Sequence, residues 1–448
     1  MSLNDSTGGV WGIASGMRAC VIGAGSSGIA ACKALAERGI AFDAYEKSDR
    51  VGGNWVFGNT NGMSSAYRGL YINTSRDRMQ YSDFPMPKSF PDFPHHTHIA
   101  TYFDSYVDHF GFRKSIEFSR GVKRASRTAD GRWDIEIDDG EHRTFAALLV
   151  ANGHHWDPRW PEPPFPGELH GVQMHSHDYK DVKALTGKRV VVLGMGNSAM
   201  DIAVESSYEA ERTILAARRG AWVIPKYLFG KPLDQLVTRA GVPFAIRQKL
   251  METLYKLTVG EMERYGLPRP DHRIGEAHPT ISGRILDRLS HGAIVVKPNI
   301  QALEGDRVRI TDGSVDPADV VIYCTGYKVT FPFFDPGFLE ARENDLPLFR
   351  RVFEPKIPNL FFVGLLQPLG AIMPLAEAQS VWIAKYLLGE YALPSAGEMQ
   401  KDIDRERAQM FKRYVASKRH TMQVDYDDYL ADLNKEIARG AKRAARAG

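Results

Sequence analysis

The 448-residue sequence predicts an α/β fold made of two βαβ units, the second inserted into the chain of the first. Three observations predict it. A glycine-rich turn, Gly23-Ala24-Gly25-Ser26-Ser27-Gly28, joins an apolar strand pattern (19–22) to an alanine-rich helix pattern that ends at Gly39. The pattern recurs as Gly194-Met195-Gly196-Asn197-Ser198-Ala199 after the apolar run 190–193. Two further apolar runs, 147–150 and 320–323, lead into Ala151-Asn152-Gly153 and Cys324-Thr325-Gly326 and roughly bracket the second unit. Small residues after an apolar strand let a chain turn sharply or cross between domains.

Each turn carries a specific chemistry. Glycines between strand and helix let the backbone approach a pyrophosphate, whose charge then sits at the helix N-terminus. The third small residue allows close helix–strand packing, so Ala199 serves in the second copy as Gly28 does in the first. In the first copy the next strand pattern (42–45) ends on Glu46, 23 residues after Gly23, where a carboxylate accepts hydrogen bonds from a ribose diol. At the same spacing the second copy has Ala217, followed by Arg218 and Arg219. A carboxylate there would repel a 2′-phosphate, whereas a guanidinium binds one in fork geometry. The first site therefore suits FAD or NAD and the second NADP. Two Rossmann-like dinucleotide-binding domains on one chain imply two redox cofactors in contact, and hydride transfer from a nicotinamide to a flavin is the commonest such pairing.

The expected organisation is an extension without structure over 1–17, an FAD-binding domain over 18–170, and an NADPH-binding domain over 171–300. A helical insertion occupies about 225–290, and residues 301–448 return to the FAD domain with C-terminal helices. The proline-rich stretch 161–167 reads as a linker, and the crossovers fall near 153–185 and 300–326.

Composition excludes other classes. With 43% hydrophobic and 25% charged residues and a net charge of +3, the chain is an ordinary globular one, not a nucleic-acid binder. Its densest basic run, 439–446, reads as a solvated helix end. No stretch reaches the roughly 18 uninterrupted apolar residues of a membrane span. Cys20, Cys32 and Cys324 form no C-x-x-C pair, which excludes a dithiol centre and points to buried thiols in a cytoplasmic protein. His95-His96-x-His98 lacks an acid cluster beside it and reads as a solvated turn, so no metal site is expected.

The stretch Leu169-His170-Gly171-Val172-Gln173-Met174-His175-Ser176-His177-Asp178-Tyr179 resembles the F-x-G-x-x-x-H-x-x-x-Y fingerprint of the flavin-containing monooxygenases, with Leu169 in place of the aromatic. Gly52-Gly53-Asn54-Trp55, the run from Tyr71 to Pro87, Arg218 to Trp222, Cys324 to Tyr327 and Gly364 to Pro368 are similar to that family in the same order. The resemblance spans about Met17 to Tyr429. It implies that NADPH reduces FAD, that O₂ adds to the flavin as a C4a-(hydro)peroxide, and that one oxygen passes to sulfur or nitrogen of a small molecule, indole included. It implies cofactor contacts at Gly53, Asn54, Trp55, Thr325, Gly326 and Gln367. It places Asn73 at the flavin–nicotinamide junction as a hydrogen-bond donor. His175 and Tyr179 are implied to link the domains, not to move protons. The partners are then a small-molecule substrate and O₂, with a homodimer left open.

Three alternatives stand beside this reading. Oxygen insertion next to a ketone carbonyl (Baeyer–Villiger chemistry) uses the same scaffold, although Tyr179 stands where those enzymes usually carry tryptophan. Aryl-pyruvate decarboxylation belongs to the same group. An NADPH-dependent flavin reductase or oxidase, or a non-catalytic NADPH-binding regulator, would keep both nucleotide sites without oxygenating anything.

Overall fold

The computed structural model describes residues 18–237, 244–413 and 421–447. The expected extension over 1–17 lies outside the described residues. Ten strands build two parallel sheets. They are β1 (Ala19–Ile22), β2 (Phe42–Glu46), β3 (Ile116–Phe118), β4 (Ala147–Val150), β5 (Val172–His175), β6 (Arg189–Leu193), β7 (Arg212–Ala216), β8 (Val295–Lys297), β9 (Val320–Tyr323) and β10 (Leu360–Phe362). The first sheet has the order β10-β4-β1-β2-β3 and the second β5-β9-β6-β7-β8. Every pairing within them is parallel. Central strands such as β1, β4 and β9 are buried along their whole length, as expected where both faces of a parallel sheet are covered.

Helix α1 (Ser26–Ala36) follows the first glycine turn and α2 (Asn197–Glu209) the second. Helix α3 (Phe244–Thr258) lies in the stretch expected to be helical, and α4 (Met373–Leu387) and α5 (Tyr426–Ala447) are near the C-terminus. Pro374, in the first turn of α4, sits where a missing N–H costs no helical bond. Helix α4 packs on α1. There the nearly buried Lys33 ammonium lies 3.3 Å from Glu37 and 3.9 Å from Glu377 and also pairs with Asp83. These carboxylates make burial of the charge tolerable.

Strand pairing bears on both borders of the second unit. Its sheet takes in β9, which inserts between β5 and β6 within the crossover expected near 300–326. Residues 300–317 form three antiparallel strands, and the strand Gly167–Leu169 pairs in parallel with the first of them. These pairings join segments some 130 residues apart, which no local pattern encodes. The 225–290 stretch is also less helical than its composition suggests. Its described residues hold α3, two short helices (Leu233–Val237 and Ile285–Ser290), a 3-10 turn (Met262–Tyr265) and two-residue strands.

Candidate active site

At the first turn the chain leaves β1 through Gly23, whose φ of +98° suits glycine and whose N–H donates to the Tyr45 carbonyl at 2.8 Å. A β-carbon at Gly23 would lie 2.7 Å from the Ala151 carbonyl oxygen, and one at Gly28 only 1.8 Å from that of Gly23. Gly25 caps α1 with no side-chain hydrogen bond, and the first turn carries no acid. The first N–H groups of α1 are thus left for a ligand, and they border a cleft of about 410 Å³. Gly23, Gly25, Ser27 and Glu46 line one side of it; Gly53, Asn54 and Trp55 come from the next loop; Gln367 comes from the opposite wall. Gly28 stands behind the turn as a packing residue.

Glu46 takes the Ala24 and Ser48 backbone N–H groups at 2.7 Å each, with the Asn61 amide at 3.4 Å. Burial raises its carboxyl pKa and the two N–H bonds oppose that rise. A carboxylate has about four acceptor positions, so a diol facing the cleft still finds acceptors there. The cleft therefore fits a dinucleotide: uncapped helix N–H groups for the phosphates, glycine where a β-carbon would collide, and a carboxylate at the ribose end.

The second turn repeats the first. Gly194 has φ +139°, its N–H donates to Ala216 at 3.0 Å, and a β-carbon there would meet the Cys324 carbonyl oxygen at 2.8 Å. Gly196 caps α2 without a side-chain bond, and Ala199 is fully buried against the strand. Arg218 and Arg219 stand exposed just past β7. The Asn197 side-chain oxygen accepts the Ile281 N–H at 2.7 Å, while Thr280 donates to the Met195 carbonyl at 2.6 Å. This shows what the 225–290 segment covers: its end folds over the second turn.

Thr325 and Gly326 follow β9 and stand beside the second turn. Cys324-Thr325-Gly326 holds the place beside Gly194 that Ala151-Asn152-Gly153 holds beside Gly23: Cys324 N–H bonds to Leu193 O, as Ala151 N–H bonds to Ile22 O, each at 2.9 Å. Thr325 donates to the Arg159 carbonyl, so this run joins the two units. The triple-histidine run is not a turn. His95 caps the helix His96–His109 and contacts the Arg68 carbonyl at 2.7 Å, and no metal-binding cluster occurs among the described residues.

Asn73 lies in a half-buried loop held from two sides. Thr74 donates to Gly370 of the cleft wall at 3.4 Å. From the 225–290 segment, Lys226 donates to the Ile72 carbonyl at 3.1 Å, and Asp234 accepts the Ser75 N–H at 2.6 Å. That grip is missing from the sequence reading, since Lys226 and Asp234 are more than 150 residues away in the chain. The fingerprint is a seam between the units. His175 is fully buried, with its Nδ1 accepting the His177 N–H at 3.0 Å; Tyr179 donates to Glu205; Lys180 donates to the Ser64 carbonyl at 2.7 Å.

Burial also gives the seam a pH response. It pushes the His175 imidazole down to about 4, and His96 equally, from the ordinary 6.5. The unfolded chain then binds more protons than the folded one between those values, so stability present above about pH 6.5 is lost as pH falls toward 4. The thermal midpoint should drop over that window, and His175→Gln should flatten the drop. An equal slope in that variant would remove His175 from the account.

The fold and the two turns define a protein of the two-dinucleotide class. The family model described as flavin-binding monooxygenase-like matches residues 16–444. The flavin-containing monooxygenase 5 of Rattus norvegicus is 36% identical over 93% of this chain and 82% of its own length. The flavin-containing monooxygenase 3 of Canis lupus familiaris is 34% identical over 95% and 83%. Among solved structures, an S-allyl-L-cysteine S-oxygenase from Allium sativum superposes with a TM-score of 0.71 at 25% identity, covering 94% of this chain and 88% of that one. A cyclohexanone monooxygenase in an open form gives 0.72 at 17% identity, over 96% and 98%, a likeness of fold. The chain belongs to the flavin-binding monooxygenase-like family and is a flavin-containing monooxygenase, an enzyme of FAD and NADPH. No described helix is long and apolar enough to cross a membrane.

Proposed function

We propose that the Gly23 turn holds FAD, that the Gly194 turn holds NADPH, and that the enzyme oxygenates sulfur or nitrogen in small organic molecules. The observation that carries this reading is the seat of Asn73, pinned between the wall of the first cleft and the segment that covers the second turn. FAD, held by the Gly23 turn and Glu46, would supply the redox chemistry, with two electrons from NADPH, one atom of O₂ for the substrate and the other for water. The chain's own tasks are to orient and to exclude water. The N-terminus of α1 and Glu46 orient the first nucleotide, and the N-terminus of α2 with Arg218 and Arg219 the second. The Asn73 amide donates toward the reacting oxygen. Likeness to the S-oxygenase of Allium sativum supports sulfur as an acceptor. Two fully buried thiols, Cys20 and Cys32, with Cys324 half-buried, support a reducing compartment such as the cytoplasm.

The test is turnover with NADPH and O₂ on a thioether, a tertiary amine, indole and a ketone. The expected products are sulfoxide and N-oxide, one per NADPH consumed. An ester or lactone from the ketone, with no sulfoxide or N-oxide, would establish the Baeyer–Villiger alternative instead.

The Arg218 assignment is checked separately. Arg218→Ala should raise the KM for NADPH about tenfold, the scale of one lost charge-assisted hydrogen bond, and leave that for NADH within about twofold. Equal changes for both nucleotides would show that Arg218 does not read the 2′-phosphate.

A further inference from the structure

Helix α2 does more than open the second nucleotide site. One turn apart on it stand Asp201 and Glu205, both half-buried and both directed at tyrosine hydroxyls. Tyr67, which is 4% exposed, donates to Asp201 at 2.6 Å. Tyr179, which is 1% exposed, donates to Glu205, and the two rings lie 5.7 Å apart. Tyr67 comes from the first unit and α2 from the second. The backbone beside Tyr67 is seated as closely: a β-carbon at Gly69 would lie 1.8 Å from a Glu205 carboxylate oxygen, and Arg68 N–H donates to the Lys180 carbonyl at 2.8 Å. Burial raises both carboxyls above their ordinary values, so these acids are held where charge is disfavoured. An apolar seam would join two units without that penalty, but it would fix their register less sharply than a directional bond does.

The register matters because of what lies at each end. Asp201 is one turn into the helix that Gly196 caps, and Tyr67 is six residues before Asn73 in the loop that reaches the first cleft. Lys226, whose ammonium holds the Ile72 carbonyl, lies close enough to Asp201 to oppose part of the rise that burial causes. One set of contacts thus connects the second glycine turn to the Asn73 loop.

We propose that the Tyr67–Asp201 hydrogen bond sets the register between the two nucleotide units, and that Tyr67 and Asp201 are positioning residues for hydride delivery. The inference rests on the assignment of FAD and NADPH to the two turns. The step concerned is NADPH + FAD + H⁺ → NADP⁺ + FADH₂, in which the hydride donor and acceptor sit on different units. Small errors of approach in such a step are costly, with about 1 Å of misplacement worth up to a hundredfold in rate.

The experiment compares FAD-loaded wild type with Tyr67→Phe, which keeps the buried ring and removes only the hydroxyl. In anaerobic stopped-flow, the limiting rate of flavin reduction at saturating NADPH should fall about tenfold, with the NADPH concentration for half-maximal rate within about twofold. Without NADPH, amide hydrogen exchange over residues 64–75 should quicken several-fold, a readout independent of turnover. Asp201→Ala should reproduce the slow reduction, and Asp201→Asn, whose amide oxygen accepts the same bond, should recover most of the rate. A wild-type limiting rate in Tyr67→Phe, whatever its thermal midpoint, overturns the proposal. So does a loss confined to NADPH affinity. Flavin reduction is read before any oxygen is admitted, so a wild-type enzyme that reduces its flavin but forms no sulfoxide or N-oxide would sink the substrate reading alone.

Discussion

The Gly28→Ala protein is expected to purify almost colourless, with bound FAD below a tenth of the wild-type content. The argument is steric. Gly28 lies in the first turn of α1, and a β-carbon there would sit 1.8 Å from the backbone oxygen of Gly23. No rotamer change relieves a collision with a main-chain atom, so the helix must move away from the strand. Shifts forced by one extra methyl in a packed site cost about 1–3 kcal/mol. Here the shift falls on the uncapped N–H groups proposed to bind the pyrophosphate, so affinity is lost together with packing. The second turn is the internal control, because it carries Ala199 at the matching position, fully buried and without a glycine. Its leading glycine has φ +139° where Gly23 has +98°, a different backbone path. Absorbance at 450 nm relative to 280 nm reads the flavin content directly. Full flavin content in Gly28→Ala would show that the turn has more room than the structure gives it.

These two turns also show where sequence is legible. Each packs strand, glycines, helix and the residue at the end of the next strand into a few dozen positions, so the chemistry can be read from local spacing. That spacing singles out Glu46, which lines the first cleft, and Arg218, which stands exposed past β7. The parallel sheets followed from apolar runs buried on both faces. What local spacing does not encode is which distant segments pair. Strand β9 enters the second sheet, and the strands of 300–317 pair with Gly167–Leu169, contacts that the local pattern does not show. The contacts of Tyr67 with Asp201 and of Asp234 with Ser75 span 134 and 159 positions. Asp201 and Glu205 did leave one trace, a pair of acids four apart on a helix with a buried face. That spacing is common on solvated helices and gains meaning only once the tyrosines are seen.

The largest effect on chemistry, as distinct from cofactor content, belongs to Asn73→Ala. Its backbone neighbours are fixed by three bonds, from Lys226 to Ile72, from Thr74 to Gly370 and from Ser75 to Asp234, and none of them uses the Asn73 side chain. Truncation should therefore leave the loop in place and the flavin bound. On the role proposed for Asn73, what is lost is one donor to the oxygen being transferred, and removal of such a preorganised donor costs about a hundredfold or more in the step it serves. Reduction by NADPH does not need that donor, so nucleotide consumption continues while oxygen is released as hydrogen peroxide. The variant should show near-wild-type 450 nm absorbance, NADPH oxidation within about threefold of wild type, and sulfoxide yield per NADPH down by about a hundredfold. Peroxide measured by a coupled peroxidase assay should account for the missing product. If sulfoxide still forms one for one with NADPH, the reacting oxygen is held by some other group and Asn73 only shapes its loop.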